Sequence, residues 1–458
     1  MRNIASVCIG ASLAASIAAN PLALPRKSSI VLNRNDVNND NDISDIAGLL
    51  SSVTDDLASL NPYLSLQATS IGTKVRSVDA AAATISNIFS RSPADLTVAV
   101  EELLSQGLIG QVLDLLGTFL NSSLNSVDND NPKDPETSIY PSKSPGDAPY
   151  TLDENTLRSA IYIPESFSYG VGGKIPVILV PGTFIPAGVT YHFSFSKLGD
   201  YANLDPVWIN IPGASLGDAQ VNAEYVAYAI NYISGISPSS TKVAAISWSQ
   251  GGLDTQWALK YWPSTRSSLS DFVAISPDFH GTVLAYFVCP GFPFLTCTPS
   301  VTQQEYTSKF SATLRSNGGN SAYVPTTTLY SSFDEIVEPM SGTNSSSAYM
   351  WDERNVGVTN AWVQQVCANK IGGSFYTHEG MLYNPLSWAL AIDAITHDGP
   401  GDISRLDLDK VCSTFLADGL DLEDLLGTEG LLLLALINLL TYGSWTGTEP
   451  SIMAYAQD

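Results

Sequence analysis

Four short runs of apolar, β-branched or aromatic residues constrain the fold of this chain more than any other feature. They cover residues 177–180, 243–246, 272–275 and 327–330. Strands that are apolar without alternation are typical of a parallel sheet, because helices cover both of its faces. Stretches with helical spacing separate the runs. The sequence therefore predicts an α/β fold for residues 151–458, with a mostly parallel sheet covered by helices.

The second run leads into a turn that is suited to a nucleophile. Ser249 follows it and precedes Gly251, Gly252 and a predicted helix. In a strand–turn–helix elbow of this kind, the serine hydroxyl is exposed above the sheet. The helix crosses close to the strand, so the positions two residues away on either side must be small. They are Ser247 and Gly251, although the usual G-x-S-x-G pattern has glycine at the first of them. We predict Ser249 as a nucleophile.

A serine hydroxyl needs a base, and the chain has four histidines. In folds of this kind the order along the chain is serine, acid, histidine. His192 precedes Ser249, and His280 precedes any suitable acid. His378 is therefore the predicted base, with His397 as the alternative.

The remaining parts of the predicted site are an acid and an oxyanion hole. Asp334 lies in a loop shortly after the run at 327–330, where the acid is expected, and Glu335 is the alternative. The backbone N–H of Gln250 follows the nucleophile and is one donor by position. Thr183, in the loop after residues 177–180, is the predicted second donor, through its N–H and its hydroxyl.

Composition limits the classes of partner. The formal net charge is −24, from 21 basic and 45 acidic residues. Such a surface repels nucleic acid and gains nothing from anionic lipid head groups. We expect a neutral, apolar ester or lipid substrate, met at a lipid–water interface, and a monomeric protein without a transmembrane segment.

The N-terminus predicts secretion. Residues 1–19 have a basic start, an apolar stretch and small residues for cleavage, which indicates a signal peptide. Two sequons, at Asn121 and Asn344, are compatible with a secreted glycoprotein. Outside the signal there are four cysteines, with three possible pairings. We favour Cys289–Cys297 and Cys367–Cys412.

The remainder of the chain divides into two further segments. Residues 20–120 show helical spacing and predict an N-terminal helical module, either a pro-region or a cap. Within it, residues 92–95 have the serine, proline and acid of a helix start. Residues 121–150 are rich in Asn, Asp, Ser and Pro and predict a linker. On this division, a chain lacking residues 1–140 should fold as an esterase.

Several segments resemble the Candida antarctica lipase B family. They occur in order over roughly residues 175–458, and none lies in residues 1–150. They are residues 179–183 (LVPGT), 248–252 (WSQGG), 276–278 (SPD) with 281–283 (GTV), 334–337 (DEIV), and 449–450 (EP) with 453–456 (MAYA).

The resemblance implies an α/β-hydrolase fold and a serine lipase or esterase that needs no cofactor. It assigns the triad to Ser249, Asp334 and His378, and the oxyanion hole to Thr183 and Gln250. It also implies three kinds of pocket residue. Trp248 would line the alcohol side, Asp278 and Gln304 the acyl side, and Ile336 would form a wall.

The chain departs from the family pattern around the site. Thr377 replaces an acid before His378, and Glu379 follows it. Residues 284–298 replace the family's short lid region with an aromatic-rich loop. These changes bear on substrate access and chain length, whereas the triad is unaffected.

Two other classes of function stay open at this stage. The same triad could serve polyester or amide bonds. Alternatively, the chain could be a binding protein whose functional part is the helical module. Metal binding is not expected, because the one calcium-loop-like run, at residues 36–47, lacks the glycine and the closing glutamate.

Overall fold

A seven-stranded sheet organises the chain. The structure is a computed structural model that describes residues 72–109, 112–119, 123–200, 203–238 and 241–457, so the predicted signal peptide, residues 20–71 and Asn121 lie outside it. The strands are β1 (Ile161–Tyr162), β2 (Ile175–Val180), β3 (Leu204–Ile209), β4 (Val243–Trp248), β5 (Leu269–Ile275), β6 (Thr326–Tyr330) and β7 (Val358–Trp362). Their order is β1-β3-β2-β4-β5-β6-β7. Only β1 is antiparallel to its neighbour among these strands, which confirms the predicted mostly parallel sheet.

Helices precede, separate and follow these strands. Before the sheet lie α1 (Val78–Phe89), α2 (Leu96–Ser105), α3 (Val112–Phe119) and α4 (Glu154–Ser159). Between strands lie α5 (Ala187–His192), α6 (Ala219–Ile236), α7 (Gln250–Tyr261), α8 (Thr265–Ser268), α9 (Ala285–Val288), α10 (Pro299–Gln304) and α11 (Lys309–Arg315). After β7 come α12 (Val363–Val366), α13 (Pro385–Thr396), α14 (Leu408–Val411), α15 (Leu422–Glu429) and α16 (Leu431–Thr441).

Both faces of the sheet are buried, as the unbroken apolar runs predict. In β2, Val177 and Leu179 belong to one hydrophobic core, whereas Ile178 and Val180 belong to a second one on the opposite face. Successive side chains of a strand point to opposite faces, so a strand buried on both sides must be apolar at every position. This explains why the runs do not alternate.

The N-terminal helices belong to the first of these cores. Ser77 caps α1 by accepting a hydrogen bond from the N–H of Ala80. Asp95 caps α2 by accepting from the N–H groups of Thr97 and Val98. The helix start predicted at residues 92–95 therefore lies three residues later, because the carboxylate of Asp95 satisfies the first free N–H groups.

The segment predicted as a linker is held against the domain over its described residues, 123–150. It has no helix or strand, as expected. However, the Asn125 side chain donates to the carbonyls of Thr118 and Phe119 and accepts from the N–H of Val189. Asn131 donates to the carbonyls of Arg158 and Ile161. These two asparagines form hydrogen bonds with backbone groups of the domain. The described part of the segment is therefore attached to the domain and is not a free linker.

A long apolar stretch near the C-terminus is largely buried. Residues Leu422–Thr441 have the length and composition of a membrane span, yet 83% of their most apolar window is buried. The stretch consists of α15 and α16, joined at Gly430. Helix α2 packs against α16. This burial is typical of core helices of a soluble fold.

The packing of α1–α3 predicts that they are needed for stability, contrary to the expectation from the sequence. We compare a chain beginning at residue 72 with one beginning at residue 123. Because burying one leucine contributes about 1.5–3 kcal/mol, exposing the surface of α16 under α2 should lower the melting temperature of the shorter chain or prevent its folding. Thermal unfolding by circular dichroism measures this. Equal melting temperatures would show that the helices are dispensable.

Candidate active site

The turn between β4 and α7 places Ser249 at the carboxyl edge of the sheet. Its backbone has φ 55° and ψ −131°, a conformation that few residues other than glycine adopt. Its N–H donates to the carbonyl of Ile275 at 2.9 Å, and its carbonyl accepts from the N–H of Gly252 at 2.8 Å. These two bonds hold the strained turn that the S-x-S-x-G pattern predicts.

Glycine is required beside Ser249 because three backbone segments meet there. A Cβ at Gly251 would lie 2.6 Å from the carbonyl oxygens of Val180 and Pro181. A Cβ at Gly182 would lie 2.9 Å from Cβ of Ser249. Helix α7 and the loop after β2 can therefore approach the turn only without side chains at these positions.

His378 and Asp334 are hydrogen-bonded to each other. His378 Nδ1 lies 2.7 Å from Asp334 Oδ2. The other oxygen of Asp334 accepts the N–H groups of Ile336 at 3.0 Å and Val337 at 2.7 Å. The carboxylate is thus fixed by its own loop after β6, and the Nε2 of the imidazole remains for a substrate or a hydroxyl.

Glu335, the alternative acid, contacts the same histidine at a different atom. Its Oε2 accepts the backbone N–H of His378 at 2.9 Å, whereas the ring pairs with Asp334.

Ser249 and His378 line one cavity. Within the described residues the Ser249 hydroxyl has no hydrogen-bond partner, and bonds of this kind are often long in enzymes without substrate.

The other histidines lie elsewhere. His397 is half exposed and bonds the backbone carbonyl of Asp393 through Nδ1 at 2.9 Å. Burial first, and then the positive charge of the nearby Arg315, lower the pKa of His280 to about 4. Burial also lowers the pKa of His192, which packs edge-on against Phe193. None of the three lines the cavity that contains Ser249.

The two predicted oxyanion donors belong to different segments next to Ser249. Gln250 is the first residue of α7, so its N–H has no acceptor within the helix. Thr183 lines the cavity with Ser249, and its N–H has no acceptor in the described part of the chain. The Thr183 hydroxyl donates towards the side-chain oxygens of Gln250 at 2.7 Å and Gln304 at 3.1 Å. The amide of Gln304 donates to the same Gln250 oxygen at 2.8 Å.

The cavity is apolar, and the empty space within it and in the open solvent at its mouth amounts to about 530 Å³. Of the predicted pocket residues, Trp248, Gln304 and Ile336 line it. Its walls also include residues from the segment after β5 and from α16, namely Thr282, Leu284, Ala285, Val288, Leu432 and Ala435. Leu432 and Ala435 were not predicted individually, because nothing in a uniformly apolar helix indicates which side chains face a cavity.

Asp278 differs from the expectation that it borders the acyl side. It is fully buried and is not part of the cavity lining. Neither of its carboxyl oxygens has a hydrogen-bond partner in the described residues. Burial raises its pKa to about 7, and the nearby Asp334 adds to the effect. The wall next to Ser249 is formed instead by residues that follow Asp278 in the chain.

Both predicted disulfides are present. Cys289–Cys297 closes the loop next to the cavity, and Cys367–Cys412 brackets the segment that carries His378. Asn344 of the second sequon is exposed. No group of three potential metal ligands occurs in the described part of the chain.

Comparison with known proteins places this site in a family. Lipase B of Pseudozyma antarctica is 34% identical over 285 residues, which cover 62% of this chain and 79% of that protein. The chain belongs to the lipase B family. No protein-family model matches it.

A solved structure of this family extends the likeness to the N-terminal helices. The crystal structure of Aspergillus fumigatus lipase B is 54% identical, with a TM-score of 0.81, and the match covers 92% of this chain and 98% of that one. These likenesses confirm the α/β-hydrolase fold. They also confirm that the chain is a hydrolase of the lipase or carboxylesterase kind.

Charge in this lipase B family site is dominated by buried carboxyl groups. Burial raises the pKa of Glu335 and of Glu338 to about 7, and that of Glu429 to about 8. It raises the pKa of Glu379 well above its usual value. Burial lowers the pKa of His378, but neighbouring carboxyl groups, Asp334 first, raise it by more, so that the net shift is upward.

These shifts predict that the protein loses stability as pH rises. Each of these carboxyl groups keeps its proton when folded at pH values where the unfolded chain, with pKa near 4, has lost it. Unfolding then releases protons, so the stabilisation is complete below about pH 4 and is lost as pH rises through about 7 to 8. The raised pKa of His378 acts in the same direction. We expect the melting temperature to fall between about pH 5 and about pH 8.

Calorimetry at low and high salt separates this effect from repulsion between surface charges. Salt screens the surface charge of −24 but not buried groups. The decline should therefore persist in high salt. A melting temperature that stays constant or rises over this pH range would contradict the buried-carboxyl explanation.

Proposed function

We propose that this protein is a secreted serine hydrolase that cleaves neutral, apolar carboxylic esters through Ser249, His378 and Asp334. The observation that carries the proposal is the 2.7 Å contact between His378 Nδ1 and an Asp334 carboxylate that two backbone N–H groups hold in place. The imidazole of this pair lines the same cavity as a serine in a strained elbow.

The proposed reaction follows from these contacts. In the neutral imidazole of His378, Asp334 accepts Nδ1–H. Nε2 is then unprotonated and takes the proton of Ser249 as its oxygen attacks the acyl carbon. His378 then gives this proton to the departing alcohol, which leaves an acyl-enzyme. Water attacks the acyl group in the same way and releases the acid. An alcohol in place of water would give transesterification.

Two backbone donors would stabilise the negative oxygen that forms during each attack. The N–H of Gln250 begins helix α7, where the helix dipole favours negative charge. The N–H of Thr183 lies on the loop that Gly182 allows against Ser249. One donor of this kind typically contributes about 10²–10³ in rate. The contacts among Thr183, Gln250 and Gln304 support a rigid loop.

The mouth of the cavity supports action at a lipid–water interface. Leu284, Ala285 and Val288 line the cavity, while their neighbours Val283 and Tyr286 are about half exposed. Phe294, in the loop that Cys289–Cys297 closes, is 93% exposed. An exposed apolar rim beside an apolar cavity suits a partner that is itself apolar. Every residue of the proposed site lies on one chain, so we expect an active monomer.

Hydrolysis of a series of p-nitrophenyl esters, from acetate to palmitate, tests the assignment. Ser249→Ala should lower turnover by about 10⁶, and Asp334→Ala should lower it by less. The matched control is Ser247→Ala, the same substitution two residues away, in which no reacting group is lost. We expect activity within several-fold of wild type for that control. Undiminished activity in Ser249→Ala would disprove the mechanism, and the preferred chain length separates esterase from lipase.

Expression in a eukaryotic host tests secretion and glycosylation. We expect active protein in the medium, a mature N-terminus close to residue 20, and a mass that falls on enzymatic deglycosylation. The formed disulfides support an oxidising compartment. Asn344→Gln should remove one glycan without affecting ester hydrolysis, since Asn344 does not line the cavity. Retention in the cell with residues 1–19 intact would contradict secretion.

A further inference from the structure

Three glutamate side chains meet behind the loop that carries His378. Glu335 follows Asp334 in the chain, Glu379 follows His378, and Glu429 is the last residue of α15. Glu379 and Glu429 are completely buried, and so is Oε1 of Glu335. The proposed mechanism uses none of these groups.

The three carboxyl groups lie side by side. Glu379 is within hydrogen-bonding reach of Glu335 on one side and of Glu429 on the other. Oε1 of Glu335 and Oε2 of Glu429 have no other hydrogen-bond partner in the described residues. Neither oxygen of Glu379 accepts a hydrogen bond from any N–H or hydroxyl group of the described residues. Two ionised carboxylates cannot bond each other, because each can only accept. The contacts therefore require shared protons: the single O–H of Glu379 can donate to one neighbour, and the contact with the other neighbour needs a second proton, on that neighbour.

The outer members of this glutamate chain are tied to the histidine loop. Glu335 accepts the backbone N–H of His378 at 2.9 Å. Glu429 accepts the hydroxyl of Tyr383 at 2.8 Å, and Tyr383 lies five residues after His378. Together with the bond from the ring to Asp334, these contacts hold His378 at its imidazole and at its backbone.

No positive side chain compensates the cluster. Within the described residues, none of the three glutamates forms an ion pair with lysine or arginine. The titratable groups that act on them are His378, Asp334 and Tyr383, and the last two become negative when they ionise. Burial is the largest cause of the raised pKa of each glutamate. Loss of protons would place adjacent like charges in a site of low polarity, which is costly.

From these contacts we infer that Glu335, Glu379 and Glu429 are positioning residues that hold His378 in its reactive place through shared protons, and release it when those protons are lost. The inference rests on the proposed role of His378 as the base. If the glutamates ionise, their negative charges repel one another, and the carboxyl groups must move apart to reduce this repulsion. His378 lies between Glu335 and Glu379 in the chain and directly precedes Glu379, so it moves with them. We therefore expect activity to fall at alkaline pH. Deprotonation of His378 itself cannot cause this fall, because a base must be unprotonated to act, so the fall would reflect displacement of the imidazole.

The pH dependence of kcat and KM in the full chain tests this inference. For wild type we expect kcat to fall by about 10²-fold between about pH 7 and about pH 10, which is the order of loss that a misplacement of about 1 Å causes. KM should change little, because none of the three glutamates lines the cavity. In Glu379→Gln, the amide donates hydrogen bonds at every pH. The alkaline limb, which is the part of the pH profile in which kcat falls at high pH, should therefore shift to higher pH by at least about one pH unit.

Asp271→Asn is the matched control. Asp271 is also a buried carboxyl whose pKa burial raises to about 7, but it lies at the start of β5, at the opposite end of the strand from the site. Its alkaline limb should match that of wild type. Identical limbs in wild type and Glu379→Gln, or equal shifts in Glu379→Gln and Asp271→Asn, would overturn the inference. Circular dichroism at each pH confirms that the proteins stay folded during the assay.

Two further measurements keep the inference open to refutation. If Glu379→Gln does not fold, Glu429→Gln tests the other end of the glutamate chain and should shift the limb in the same direction. In wild type, the infrared band of protonated carboxyl groups should disappear with the same midpoint as kcat, and a band already absent at neutral pH would refute the shared proton. Failure of the proposed function looks different, because Ser249→Ala would then retain wild-type activity.

Discussion

The close approach of three backbone segments around Ser249 is the constraint on which the rest of the site depends. The strand β4, the helix α7 and the loop after β2 meet where glycine stands at positions 182 and 251. Bonds from Ser249 to Ile275 and Gly252 hold its unusual backbone angles. The surrounding sheet thus stabilises a conformation that is unfavourable on its own.

The N-terminal helices contribute to this site indirectly. Helix α2 packs on α16, and α16 supplies Leu432 and Ala435 to the cavity wall. Leu115 of α3 packs closely against Gly430. A Cβ at position 430 would lie 2.5 Å from a side-chain methyl of Leu115. One layer of helix therefore separates the module from the substrate cavity. This arrangement makes the module part of the catalytic body, and it weakens the alternative in which the helices act as a separate binding unit.

Acidic groups are distributed in two different ways. Most of the 45 acidic residues contribute to a negative surface that favours solubility. A few are buried around His378, where burial and mutual repulsion make them hold protons near neutral pH. Salt screens charges at the surface much more than buried groups, and the buried carboxyl groups include Glu335, which accepts the backbone N–H of His378.

Residue patterns were sufficient to predict the sheet and the order in which the candidate catalytic residues occur along the chain. Apolar runs without alternation required burial on both faces, and the small residues beside Ser249 required a tight crossing; both depend on local chemistry that single residues carry. Disulfide pairing allowed three solutions, and the structure has the one we favoured. The choice between Asp334 and Glu335 could not be made from neighbouring positions in one loop. The family resemblance favoured Asp334, and the fold shows the physical difference, since it brings Asp334 to the ring and Glu335 to the backbone N–H of His378. Only the fold brings Glu429 into contact with Glu379, which lies fifty positions earlier in the sequence. Burial and long-range proximity are properties of the packed chain, and no local pattern encodes them.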